Sequence, residues 1–258
     1  MRMMKKVLGT VTVLALSASL LVGCSSGTAS SVPVSASSAA ESTVSSVEET
    51  ASSAVDENEA AAAQLLNDLT GSYQELWPVI LADEYKQTWL DDCTALVGED
   101  NAEAAFEKLS SMVTGDVYGE DAVRAYANGG GAYFCGFTNS LATLTFDGET
   151  STISGTDKDG NVLFSHAYHY IGMEPVRGLY EFESDDADSG EFTYFFLAPD
   201  TSAETYHIEF RYGSDAEALS QYDAGEYAYW VASGISTDCD QTMIDNCIEL
   251  FCTENLAG

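Results

Sequence analysis

Between Val123 and Tyr212 the chain alternates short two-periodic runs with tight-turn clusters, and few folds accept that rhythm. Strands are expected at Val123–Tyr126, Ala132–Phe137, Leu141–Phe146, Thr150–Ser154, Val162–Tyr170, Gly178–Glu183, Glu191–Leu197 and Thr205–Tyr212. The turn clusters are Asn128-Gly-Gly-Gly131, Phe146-Asp-Gly148, Lys158-Asp-Gly-Asn161 and Asp185–Gly190. Glycine and Asp-Gly pairs supply the backbone conformations that such connections need. An antiparallel meander of this length leaves two exposed edges unless it closes on itself. The expected class is therefore α+β, mostly β: a small antiparallel up-and-down barrel of lipocalin type, with N-terminal and C-terminal helices packed on it.

Helical patterns flank the strands. Ala60–Leu69 is rich in helix formers, with Leu65, Leu66 and Leu69 as its apolar stripe. The i,i+4 pairs Leu76/Ile80 and Trp77/Leu81 mark a second helix, in which Pro78 signals either a fresh start or a kink. Glu84–Leu96 and Ala102–Val113 read as two more, parted by Gly98-Glu-Asp-Asn. Near the C-terminus, Asp215 is placed to cap a short helix. The Tyr-rich run Tyr222–Trp230 is expected to pack over the barrel. Asp238–Asn255 forms a last amphipathic helix with Met243, Ile244, Cys247, Ile248 and Phe251 inward.

The first 23 residues read as an export leader: Arg2, Lys5 and Lys6, then an apolar run from Val7 to Leu21. The run is too short and too rich in small residues for a membrane span of about 20 residues. Leu21-Val-Gly-Cys24 has the form of a lipobox, in which Cys24 becomes the lipidated (palmitate-type) first residue. Multiple acyl chains anchor a protein stably where one is marginal. Ser25 to Ser53 is almost wholly Ser, Ala, Thr, Val and Glu with no aromatic side chain, so residues 24–57 are expected to stay disordered as a tether. Residues 58–258 then form one barrel domain. A long tether on an anchored lipoprotein suits the outer face of a Gram-positive membrane.

Charge excludes one class of partner. With 42 Asp+Glu against 9 Lys+Arg and a net charge of −33, the chain repels nucleic acid and anionic lipid. Cleavage of the leader removes three of those nine basic residues. Such a surface attracts divalent cations, though it also serves simply to keep an exported protein soluble. Once Cys24 is lipidated, Cys93, Cys135, Cys239, Cys247 and Cys252 remain, in a setting where disulfides persist. Cys247 and Cys252, five apart on a helix, lie about 140° apart around its axis and cannot bond each other. Cys93 joined to a cysteine of the terminal helix would staple the two ends of the domain. No CxxC spacing supports a thiolate zinc site.

The chemistry-bearing stretch is Ala198–Asp215, A-P-D-T-S-A-E-T-Y-H-I-E-F-R-Y-G-S-D. From Tyr206 to Tyr212 it alternates, so His207, Glu209 and Arg211 share one face and Tyr206, Ile208, Phe210 and Tyr212 the other. An imidazole and a carboxylate two residues apart on a strand can reach one divalent cation. The same pair also occurs merely solvated or hydrogen-bonded.

The order of these motifs resembles the ZinT/AdcA zinc-binding domain family, which has a calycin-like fold. The Ala-Pro turn, the H-x-E strand and Gly213-Ser-Asp215 resemble its signature strand pair and the helix start that follows. Leu69-Thr-Gly-Ser-Tyr-Gln-Glu-Leu-Trp-Pro78 resembles its opening helix, and Tyr222–Trp230 its closing segment. Two departures stand out. The position of the family's first metal histidine is Phe195, and the family's H-x-H is His207-Ile208-Glu209. The site is either rebuilt with another ligand or decayed. The other two histidines, His166 and His169, are the obvious replacements. Three apart on a strand, they face opposite sides, so at most one enters the barrel. Ala167 and Ile171 leave room beside His169, whereas His166 shares its face with Phe164, Tyr168 and Tyr170, which can equally be core.

No nucleophile elbow, P-loop or dinucleotide fingerprint is present, and catalysis is not expected. The resemblance implies a lipid-anchored protein that binds zinc or a similar divalent metal outside the cell through His207, Glu209 and His169 or His166. It would pass the metal to the binding protein of a metal ABC importer. The alternative is a metal-free calycin-like module that holds a small ligand or a protein partner.

Overall fold

Eight antiparallel strands close the expected barrel, two of them at places the periodicity did not mark. The computed structural model describes residues 57–257. The leader (1–23), Cys24 and the tether up to residue 56 lie outside the described residues.

Helix α1 (57–68) buries Ala62, Leu65 and Leu66. Strand β1 (Gly71–Glu75) follows, then α2 (Leu76–Ile80), a 3-10 turn (Asp83–Tyr85), α3 (Lys86–Val97), α4 (Glu99–Met112) and α5 (Glu120–Ala127). Strands β2 (Thr143–Asp147), β3 (Thr152–Thr156), β4 (Val162–Met173), β5 (Tyr180–Ser184), β6 (Tyr194–Leu197), β7 (Ile208–Gly213) and β8 (Ala232–Ser236) complete the barrel. They pair in sequence order, and β8 closes onto β1 through Tyr73↔Ser236 and Glu75↔Gly234. Helices α6 (Ser202–Thr205), α7 (Ala216–Leu219) and α8 (Gln241–Leu256) fill the C-terminal third.

Three expectations are corrected. Val123–Tyr126 lies within α5, whose ends carry helix signals: Gly119 before it, Glu120 and Asp121 in the first turn, Arg124 in the last. Ala132–Phe137 is not a strand. Only Phe134 bridges, to Thr114 and Trp230. The missing pair comes from β1 and β8. The resemblance to an opening helix covers Ser72–Glu75, but these residues form β1 and a new helix starts at Leu76, so Pro78 falls in a first turn where its missing N–H costs nothing.

The molecule has two cores on opposite sides of the strands. Inside the barrel, aromatic rings fill the space: Phe195 packs on Tyr212 (5.3 Å between centroids), Tyr168 (5.4 Å) and Phe164 (5.9 Å). Outside it, α2, α3, α4 and α8 bury Trp77, Ile80, Trp89, Leu109, Ile244 and Ile248 against Ile235 of β8. The β2–β3 turn closes onto α1 at Gly148, where a Cβ would come within 2.3 Å of the Asn67 backbone. The Gly148 N–H donates to Thr70 Oγ1 at 3.0 Å.

Candidate metal site

His207 stands on a bend just ahead of β7, positioned by the short helix before it. Helix α6 opens with a capping box: Glu204 Oε2 accepts from the Thr201 N–H at 3.1 Å. It ends at Tyr206, whose backbone is left-handed (φ 67°). Thr205 Oγ1 then donates to the His207 carbonyl at 2.7 Å, which fixes the direction in which the chain enters β7. The β7 residues Ile208, Phe210 and Tyr212 belong to the barrel core; His207, Glu209 and Arg211 share the opposite face, as expected, and that face is the outer one.

That outer face is covered rather than solvated. Arg211 is fully buried and donates to the carbonyls of Leu219, Gln221 and Tyr227, which ties the segment after α7 onto the strand. The Tyr222 ring lies between two guanidiniums, Arg177 at 4.1 Å and Arg211 at 4.3 Å. The Tyr222 hydroxyl donates to the buried Glu174 carboxylate at 3.3 Å.

His207 and Glu209 come together. Nε2 lies 3.8 Å from Glu209 Oε1, with the two side chains 18% and 33% exposed. Nδ1 faces the Thr205 carbonyl at 2.8 Å, and the Cys247 thiol of α8 approaches the same nitrogen at 3.8 Å. A carbonyl can only accept, so Nδ1 carries the proton and Nε2 is the atom left for Glu209 or a cation. Burial opposes charge on His207, yet contact with Cys247 and Glu209 outweighs it and raises its pKa well above the ordinary 6.5. Burial likewise opposes charge on Glu209, but His207 and the charge of Arg177 hold its carboxyl below the ordinary 4.5. Both shifts favour the charged forms, imidazolium and carboxylate.

Two further carboxylates share this field. Asp200 is on the surface, where partial loss of hydration, then the neighbouring Glu209, push its carboxyl up. Partial loss of hydration pushes the exposed Glu254 of α8 up as well; His207 partly offsets that, while Glu209 and Asp200 add to it. Sequence periodicity could not find Thr205, Asp200, Cys247 or Glu254 as neighbours of His207, because Thr205 ends a helix, Asp200 lies in the loop before it, and Cys247 and Glu254 come from α8, remote in the chain.

His166 and His169 are elsewhere. The ladders set His169 level with Glu183, Tyr194 and Gly213, at the far end of β7 from His207. Six residues of strand separate those levels, about 20 Å at 3.3 Å per residue. His166 points inward, stacked on Phe164 at 5.9 Å, with Nδ1 2.7 Å from Asp186. His169 points outward, with Nδ1 2.7 Å from Asp185. The structure brings neither to His207. Phe195 does not face the site either: it pairs with Tyr212 and turns into the barrel, while its neighbour Phe196 pairs with Arg211 on the outer face. Among the described residues, no group of three or more His, Cys, Asp and Glu side chains is arranged to hold a metal.

No family model and no curated protein matches the chain. Among solved structures, it is similar to the Zn(II)-bound ZinT-like domain of Streptococcus pneumoniae AdcA. The identity is 15% and the TM-score 0.45, over 72% of this chain and 89% of that one. It is also similar to Zn(II)-bound AdcA from the same organism, at 15% identity and a TM-score of 0.43, over 70% of this chain and 34% of the other. Both carry the family name that the sequence motifs resemble. This chain spans about a third of that whole AdcA.

Proposed function

We propose that this protein is an extracytoplasmic lipoprotein, anchored through Cys24, that binds zinc or a similar divalent ion as cargo and assists its uptake. His207 Nε2 and Glu209 are its first two donors. Donors on one tetrahedral zinc, each bonded at about 2.0–2.1 Å, lie roughly 3.4 Å apart. The 3.8 Å between Nε2 and Oε1 is close to that spacing. Water completes the shell. Two protein donors with water suit capture and release, in contrast to a closed structural site with four protein ligands. The receiving partner is the binding protein of a metal importer, as the sequence resemblance implies.

The carrying observation is the hydrogen bond from His207 Nδ1 to the Thr205 carbonyl. Metal-binding imidazoles are held in this way by their other nitrogen, which fixes tautomer and ring plane. In the metal-free protein, the Nε2 proton faces Glu209; a cation replaces that proton. The alternative, a barrel holding a small organic ligand inside, is disfavoured by the rings of Phe164, Tyr168, Phe195 and Tyr212 that occupy the interior.

The test is a chelator-stripped domain titrated with zinc. A ligand at 100 times its Kd stabilises the native state by about 2.7 kcal/mol, which a melting curve resolves. A zinc-dependent rise in Tm, absent with magnesium, is the expected result. An unchanged Tm at millimolar zinc would sink the proposal.

A further inference from the structure

All five cysteines of the described residues are free, yet two of them are placed to react with each other. Cys93 of α3 and Cys252 of α8 approach to 3.9 Å between sulfurs, both fully buried in the helical core. We propose that Cys93 and Cys252 are a disulfide-forming pair that fastens α3 to α8. Rotation about the two Cα–Cβ bonds has to shorten the gap to about 2.05 Å. The other thiols have different neighbours. Cys247 faces His207, and Cys135 lies beside the Tyr133 carbonyl at 3.9 Å. Cys239 sits half-buried ahead of α8.

The reaction needs an oxidant with a disulfide of its own, such as a thiol–disulfide oxidoreductase or oxidised glutathione. One cysteine, as thiolate, attacks that disulfide and expels an oxidant thiol. The other then attacks the mixed disulfide and expels the second thiol. Two electrons and two protons pass to the oxidant. Burial raises the pKa of both cysteines, so few thiolates form once α8 has docked. Oxidation therefore belongs to folding, before the two helices seal the core.

The bond would close a loop between residues 159 apart. In the chain-entropy model, long loops gain most from closure. The clamp also bears on the candidate site, because α8 carries Cys247 against His207 little more than a turn before Cys252.

The protein is refolded in a glutathione redox buffer, its remaining thiols are alkylated under denaturing conditions, and its peptides are mapped by mass spectrometry. A cross-linked peptide joining Cys93 to Cys252 is expected, with Cys135, Cys239 and Cys247 alkylated. Reduction should lower Tm by roughly 10 °C. Cys93→Ser and Cys252→Ser should each abolish that redox-dependent shift, whereas Cys239→Ser keeps it. Alkyl label on both Cys93 and Cys252, or a cross-link between any other two cysteines, would overturn the assignment. The mapping needs no zinc, so its outcome is independent of the metal reading.

Discussion

The two faces of β7 have opposite chemistry within six residues. Inward, Phe210 and Tyr212 join a stack of rings with Phe195, where packing alone decides what fits. Outward, His207, Glu209 and Arg211 are also covered, but each finds a polar or charged partner. The difference separates burial from function. A buried apolar face consumes sequence information on shape. A buried polar face needs partners in defined places, and at His207 one nitrogen is satisfied while the other meets only a carboxylate at 3.8 Å.

The largest effect is expected on the inward face. Phe195→His places an imidazole among Tyr168, Phe164 and Tyr212, where the two tyrosine hydroxyls already donate to the Phe192 and Thr138 carbonyls. Lost packing and an unpaired polar group should cost about 3 kcal/mol of stability, read from chemical denaturation. The sequence resemblance puts the family's first metal histidine at this position. The barrel register now predicts no gain in zinc affinity. A variant that folds and binds zinc more tightly would show that β6 presents Phe195 to the outer face after all.

On the outward face, His207→Ala should weaken zinc binding by about 10- to 100-fold in calorimetry. It should change stability far less than Phe195→His, because a partly covered bend outside the barrel core tolerates truncation within about a kcal/mol. His169→Ala and His166→Ala should leave zinc affinity within about twofold, since both rings are engaged with Asp185 and Asp186 at the other end of the ladder. Equal losses in all three variants would mean that zinc binds to histidine in general and that the two ends do not differ.

Much of this contrast was legible in the sequence. Strict alternation from Ile208 to Tyr212 placed each side chain on its observed face. The same rule put His166 and His169 on opposite sides of β4. Asp215 caps α7 by accepting from the Ala218 N–H at 3.0 Å, as its position implied. What escaped has a physical cause in each case. Ala232–Ser236 gives no alternation because it lies between the barrel and the helical core, buried on both faces and built of small residues. Gly71–Glu75 carries helix-compatible residues, and only its pairing with β2 and β8 makes it a strand. The depth at which each histidine sits depends on strand register, which turn lengths and bulges set. One such irregularity lies between Tyr170 and Gly172, just beyond His169.

The smallest effect is also the most specific to the His207–Glu209 pair, and it appears in pH dependence. His207 has a folded pKa above 6.5, so its contribution to stability is complete below that value and lost as pH rises through the raised pKa. Glu209 has a folded pKa below 4.5, so its contribution is present above that value and lost as pH falls through the lowered pKa. The two windows overlap between those ordinary values, and there Glu209→Gln should destabilise the metal-free protein most. Solvent screening of a one-third exposed carboxylate limits the loss to a fraction of a kcal/mol. Zinc must displace the Nε2 proton, so its affinity should climb with pH through the raised His207 pKa. Removing the Glu209 charge lowers that pKa, and the climb should begin at lower pH in Glu209→Gln, even though the plateau affinity falls. Calorimetry in two buffers of different ionisation enthalpy counts the released protons directly. An affinity curve whose midpoint stays fixed in the variant would mean that Glu209 does not set the charge on His207, and that the outward face of β7 holds two neighbours and no pair.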